Sequence, residues 1–119
     1  DRIKGTSFNA AGKFTLHQSA DCIKNASLVI AGDTGMMHIA SAFQKKIISL
    51  WGCTVPGLGM YPYRPHPDSV MLEPKGRDKR PCSKLGNKCK YGEGSRCIEQ
   101  IVNEEIVGVV ERLMQDSRR

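Results

Sequence analysis

Apolar positions in the first part of the chain follow first helical and then strand-like spacing. Residues 15–26 repeat apolar side chains every three or four positions, which predicts a helix with Thr15 as its N-cap. Leu28–Ala31 is a wholly apolar run and predicts a strand covered on both faces, as in a parallel sheet. A second helix is predicted over Met36–Phe43. Its expected core side consists of Met36, Ile39, Ala40 and Phe43.

The later part of the chain predicts two more strands and a final helix. Ile47–Trp51 is rich in β-forming residues, so a strand, a helix and a strand follow one another as in a βαβ unit with parallel strands. Residues 69–72 predict a short last strand, and residues 103–115 a helix with Asn103 as its N-cap. The expected core side of that helix is Ile106, Val107, Val110, Leu113 and Met114. We therefore expect an α/β fold, a partial Rossmann-like domain in which parallel strands are flanked by helices.

Composition places the chain among soluble, single-domain proteins of the cytosol. Its 119 residues are 39% hydrophobic and 25% charged, and no apolar run approaches the roughly 18–20 residues that cross a bilayer. The first residues show no signal-peptide pattern. Five cysteines form an odd set, which predicts reduced thiols. Two of these, Cys22 and Cys53, lie in apolar stretches and are expected to be buried.

The positive charge belongs to one segment. Residues 75–97 contain eight basic and two acidic residues and so account for the whole net charge of +6. A solvated surface loop is the simplest interpretation. The alternative is attraction to anionic lipid head groups or to a phosphorylated glycolipid acceptor. No nucleic-acid motif accompanies the segment, so nucleic acid is not expected as a partner.

Three cysteines of this segment, Cys82, Cys89 and Cys97, are spaced C-x6-C-x7-C. Structural zinc sites usually have closer cysteine pairs and four ligands, so His66 or Cys53 would have to complete such a site. Reduced thiols in a loop are the favoured interpretation, and zinc is the alternative.

The strongest chemical signal is the turn Gly32-Asp33-Thr34-Gly35 between the first strand and the second helix. In open α/β sheets, ligands bind beyond the carboxyl ends of the strands, where helix N-termini present amides suited to phosphate. Gly35 allows a close approach to the backbone, Thr34 offers a hydroxyl donor, and Asp33 suits sugar hydroxyls. The same residues also fit a plain helix cap, with Gly35 as a turn glycine. His38, about one turn into the helix, fits a ligand contact or an ordinary packed or surface position.

Four blocks of the chain follow one another in order: residues 9–16 (NAAGKFTL), 20–27 (ADCIKNAS), 32–40 (GDTGMMHIA) and 46–54 (KIISLWGCT). With the cysteine segment and the final helix, they resemble the C-terminal domain of glycosyltransferase family 9, the lipopolysaccharide heptosyltransferase family. The third block is the most specific, because it follows the family pattern D-T-G-x-M-H-x-A. Two features depart from the family: Lys46 replaces a proline, and residues 55–63 differ from heptosyltransferases of best-known specificity. The resemblance therefore does not define the sugar.

The resemblance implies a GT-B enzyme, in which two Rossmann-like domains face each other across a cleft. The C-terminal domain binds an ADP-sugar, and the N-terminal domain binds the lipid-linked acceptor and supplies the general base. Carried over by position, the donor-binding residues are Gly12, Lys13, Phe14, Asp33, Thr34, Gly35, Met36 and His38. Phe14 is expected at the base, and transfer is expected to invert the anomeric carbon without a metal or cofactor.

On this interpretation, residues 1–119 are the later part of the donor-binding domain, contain no catalytic residue and are inactive alone. The cytoplasmic enzyme would act in lipopolysaccharide or related surface-glycan assembly, at the inner face of the inner membrane. The competing hypothesis is a non-catalytic α/β module whose basic cysteine segment binds zinc or an anionic polymer.

Overall fold

The described part of the chain forms three parallel strands flanked by three helices. The computed structural model describes residues 5–52, 62–74 and 101–116. The elements are α1 (Leu16–Asn25), β1 (Val29–Ala31), α2 (Gly35–Ala42), β2 (Ile47–Leu50), β3 (Val70–Leu72) and α3 (Asn103–Asp116). The strands pair in the order β1-β2-β3, all parallel. The predicted α/β class and the βαβ unit are confirmed.

Two apolar clusters cover the two faces of the sheet. On one face, Ile47 of β2 packs with Met37 and Ala40 of α2 and with Trp51, and Ile23 of α1 joins them. On the other face, Ile48 packs against α3 in a cluster that comprises Ile48, Leu72, Ile101, Val109 and Leu113. Neighbouring residues of a strand point to opposite faces, so Ile47 and Ile48 fall in different clusters. The sheet is therefore the middle of three layers.

The N-terminus of α1 forms as the sequence predicts. The Thr15 side chain accepts a hydrogen bond from the Gln18 amide at 3.2 Å, and the Gln18 side chain accepts one from the Thr15 amide at 2.9 Å. This reciprocal pair is a capping box, which satisfies two amides that a helix leaves unpaired. The helix itself lies on the surface, because none of its residues is fully buried.

The predicted core sides of α2 and α3 were partly wrong. The buried residues of α2 are Met37, Ala40 and Ser41, whereas Phe43 is exposed. In α3, Val109 is buried and Val107 is exposed. The periodicity identified an apolar stripe in each helix, but the rotation of the helix about its axis depends on how it packs on the sheet. Successive residues lie about 100° apart around the helix axis, so the exchange of one position for its neighbour corresponds to a rotation of the buried face of about that size.

Two expected burials were also wrong. Ile30, at the centre of β1, is 50% exposed, because β1 is an edge of the described sheet and α3 packs farther along it. Cys22 is also exposed, and it belongs to neither apolar cluster. Cys53 lies outside the described residues.

Polar contacts tie the start of β2 and the C-terminal end of α2 to other parts of the chain. The ammonium of Lys46, just before β2, lies 3.3 Å from the Leu113 carbonyl of α3 and 3.7 Å from the Asp68 carboxylate. The Ser41 hydroxyl, buried in α2, donates to the Tyr63 carbonyl, and the Gln44 amide donates to the Arg64 carbonyl. These bonds fix residues 62–64 beside the carboxyl end of α2. Within the described ranges, no helix has the length and apolar character needed to cross a bilayer.

Candidate functional site

The turn that links β1 to α2 lies at the carboxyl edge of the parallel sheet. β1 ends at Ala31 and α2 begins at Gly35, so Gly32, Asp33 and Thr34 form the whole connection. The parallel neighbour β2 ends at the same edge. This is the edge at which open α/β folds bind ligands. The structure therefore places the predicted turn where the sequence predicts it.

The first turn of α2 has no side-chain cap. Thr34 occupies the N-cap position with an extended backbone, but its side chain makes no capping hydrogen bond. Thr34 is therefore the N-cap residue, as the plain-cap interpretation predicts, but it gives the helix no side-chain hydrogen bond. The first amides of a helix have no carbonyl partner within the helix, and the helix dipole makes this end favourable for an anion. The Met37 amide donates to the Thr34 carbonyl at 3.1 Å, so the amides of Gly35 and Met36 are the ones left for an external acceptor.

Gly35 is not required by the fold. A Cβ built on this glycine meets no other heavy atom of the described residues within 4 Å, and its φ lies outside the left-handed region. An alanine would therefore fit both the space and the backbone. The absence of a side chain at this position leaves the surface of the turn accessible.

Asp33, within the turn, and His38, in the helix that follows, both lie on the surface. Both are exposed. Within the described part of the chain, the Asp33 carboxylate forms no hydrogen bond or salt bridge. His38 lies four residues after Thr34 and therefore on the same face of α2, one turn further along. Both side chains are available to a ligand at the helix N-terminus.

The loop before α1 makes a second predicted part of the site. The Asn9 side chain accepts from the Ala11 amide at 3.0 Å, and the Ala10 carbonyl accepts from the Lys13 amide at 3.0 Å. Gly12 has φ +71°, in the left-handed region that favours glycine. This tight turn places Phe14 directly before the cap of α1.

Phe14 and Met36 line one apolar groove, which joins the two predicted parts of the site. The groove has a volume of about 350 Å³ and lies between α1, the exposed edge of β1 and the start of α2. Its lining residues are Ala10, Phe14, Ser19, Cys22, Ile23, Val29, Ile30, Ala31 and Met36. Ala31 and Met36 bracket the Gly32–Gly35 turn in sequence, so the groove adjoins the open helix N-terminus.

Sequence analysis missed three features of this region. Phe8 stacks on Phe14 with the ring centroids 6.0 Å apart, and the Lys13 ammonium lies 5.0 Å from the centroid of the Phe8 ring. Cys22 and Ile30 line the groove and are exposed to it. The only signal for the stack was the pair of aromatic residues on either side of the turn, because residues 1–14 show no apolar periodicity.

The possible zinc ligands Cys53, Cys82, Cys89 and Cys97 lie outside the described residues, as does the basic segment 75–97. His66 is described, and its Nδ1 accepts a hydrogen bond from the Asp68 amide at 3.1 Å. Among the described residues, no three side chains of the metal-binding types cluster together. The zinc and membrane hypotheses stay predictions.

Comparison with known proteins gives one consistent family. The sequence model of glycosyltransferase family 9 (heptosyltransferase) matches residues 1–90. Lipooligosaccharide heptosyltransferase 2 of Haemophilus influenzae is 44% identical over 48 residues, which are 40% of this chain and 14% of that protein. The protein of the same name from Haemophilus ducreyi is 38% identical over 50 residues, again 40% of this chain and 14% of the relative.

A solved structure supports the fold. The crystal structure of a family 9 glycosyl transferase from Veillonella parvula superposes with a TM-score of 0.63 at 24% identity. The match covers 88% of this chain and 28% of that one. The chain thus corresponds to a minor part of the length of the proteins it resembles.

Proposed function

The chain belongs to glycosyltransferase family 9, the heptosyltransferase family, and we propose that it is the part of such an enzyme that holds the nucleotide-sugar donor. Residues 1–119 are the later part of the C-terminal domain of a GT-B enzyme, and the donor is an ADP-sugar. The observation that carries the proposal is the uncapped N-terminus of α2, which lies at the carboxyl edge of the sheet beside the groove of Phe14 and Met36.

Each part of the site has a chemical role toward such a donor. The amides and dipole of the first turn of α2 bind the diphosphate, and Thr34 adds a hydroxyl donor. Gly35 lets a phosphate oxygen approach the backbone. The Asp33 carboxylate repels phosphate and instead accepts hydrogen bonds from sugar hydroxyls, while His38 reaches the diphosphate from the same face. The adenine base enters the groove and contacts Phe14, and Gly12 and Lys13 shape its edge.

The same groups favour departure of the nucleotide. When the bond between the anomeric carbon and the diphosphate oxygen breaks, negative charge develops on the diphosphate. The oriented amides of α2 stabilise that charge without reorganising. An acceptor hydroxyl attacks from the opposite side, which inverts the anomeric carbon, and its proton goes to a general base in the other domain. The 119-residue chain alone is therefore expected to transfer no sugar.

The relatives that the chain matches support a biological setting for this proposal. Both relatives are lipooligosaccharide heptosyltransferases. The acceptor is accordingly a lipid-linked glycan, and transfer takes place at the cytoplasmic face of the inner membrane. The basic segment 75–97 is the region that would contact anionic head groups there.

Amide chemical shifts test the site directly. On titration of the chain with ADP and an ADP-sugar, we expect perturbations at residues 12–14 and 33–38, with UDP as the comparison nucleotide. Cys22 gives an independent reporter, because it lines the groove and is exposed. Its alkylation by N-ethylmaleimide, measured at this residue by mass spectrometry, should slow when ADP is added. Unchanged shifts and unchanged alkylation at millimolar ADP would contradict the proposal and favour a non-catalytic binding module.

A further inference from the structure

Two large aromatic side chains of the loop before α1 are exposed in a way that core packing does not explain. Phe8 is 70% exposed and Phe14 is 38% exposed. Neither belongs to the two apolar clusters of the fold. An exposed aromatic pair beside an apolar groove is typical of a surface that receives a ligand.

Phe8 contacts two residues of the proposed donor site. Its ring lies 6.0 Å from the Phe14 ring with an interplanar angle of 23°, which is a stacked arrangement. On the same ring, the Lys13 ammonium lies 5.0 Å from the centroid, within the range of a cation–π contact. The left-handed turn at Gly12 brings these side chains together. Phe8 itself does not line the groove, whereas Phe14 does.

We infer that Phe8 is a positioning residue of the nucleotide site, which rests on the function proposed above. Its ring restricts the Phe14 side chain to the orientation that lines the groove, and it fixes the Lys13 ammonium close by. A purine base that stacks on Phe14 then meets a surface that is already ordered, so less side-chain entropy is lost on binding. The ligand class is a planar base, because every base presents a π-face to an aromatic ring.

Substitution of Phe8 tests this inference without disturbing the core, because the side chain is largely exposed. Phe8→Leu removes the aromatic face but keeps an apolar side chain, and it should weaken ADP and adenosine binding about threefold to tenfold. Phe8→Tyr keeps the stacking and the cation–π contact and should restore wild-type affinity. The matched control is Tyr63→Leu. Tyr63 is likewise exposed, at 73%, and the Arg64 guanidinium lies 5.5 Å from the centroid of its ring. It lies beside the C-terminal end of α2, away from the helix N-terminus of the proposed site. Its substitution should leave affinity unchanged.

A double-mutant cycle separates positioning from direct contact. If Phe8 acts through Phe14, Phe8→Leu has little further effect in a Phe14→Leu background. An equal loss of ADP affinity in both backgrounds would overturn the positioning role, and so would a wild-type affinity of Phe8→Leu. In either case, ADP-induced amide shifts at residues 33–38 would leave the proposed function standing. Absence of those shifts in the wild-type chain would overturn both.

Discussion

Gly35→Ala separates what the fold needs from what a ligand needs. Because a Cβ at this position meets no heavy atom within 4 Å in the part of the chain that the structure describes, and the backbone is not left-handed, we expect the substitution to add no steric or torsional strain. Gly35 is the first residue of α2. Alanine loses less backbone entropy than glycine on entering a helix, so the free energy of unfolding should stay the same or rise by up to about 1 kcal/mol.

The effect on donor binding has the opposite sign. The added methyl group occupies the open space over the turn, where a phosphate oxygen must approach the first amides of α2. A hydrogen bond between an amide and a charged oxygen contributes roughly 1.5–3 kcal/mol, so its loss should weaken ADP binding about tenfold to hundredfold. A variant that is at least as stable as the wild type would thus bind its ligand much less tightly.

The assay combines urea unfolding with an ADP titration followed by amide shifts, and Gly108→Ala provides a matched control. Gly108 lies inside α3 and is exposed, and a Cβ built on it also meets no atom within 4 Å among residues 5–52, 62–74 and 101–116. Its substitution should stabilise the protein by about 1 kcal/mol and leave ADP affinity unchanged. If Gly35→Ala binds ADP as tightly as Gly108→Ala does, a phosphate does not approach this turn and the site assignment fails.

Three further substitutions test the framework that holds the site, each by the urea concentration at half-unfolding. Thr15→Ala removes the capping box of α1 and should cost about 1 kcal/mol, whereas Thr15→Ser should not. Trp51 is fully buried, so Trp51→Phe leaves a cavity in the core and removes the 3.0 Å hydrogen bond that the indole donates to Ser49. The free energy of unfolding should fall by about 2–3 kcal/mol. A fall of less than half that size would mean that the core closes around the cavity. Lys46→Met keeps the stem but removes the ammonium that contacts Asp68 and a carbonyl of α3, and should cost about 1 kcal/mol. The half-exposed ion pair with Asp68 contributes only a small part of that loss. This part alone should vanish when 1 M salt screens the two charges.

Local signals in the sequence were enough for the elements and for the turn. The Thr15 cap, the apolar strand runs and the short strand–helix–strand spacing each act within a few residues, so they predicted α1, the βαβ unit and the position of the Gly32–Gly35 turn. The specific DTGMMHIA block also predicted the family, and the match of the family's sequence model to residues 1–90 confirms it. Neither the periodicity nor the motif depends on how distant parts of the chain meet.

Long-range packing decided everything else. Packing on the sheet sets the rotation of α2 and α3 about their axes. Met37 and Val109 are therefore buried, whereas Phe43 and Val107, which the periodicity predicted on the core side, are exposed. The edge position of β1 leaves Ile30 exposed, and the placement of α1 beside that edge creates the groove, which Cys22 lines as an exposed residue. Phe14 and Met36 are 22 residues apart in the sequence, and tertiary packing makes both of them line the same groove. A sequence pattern records the preference of each segment for its own conformation, whereas a site shared by two segments depends on how the whole chain packs.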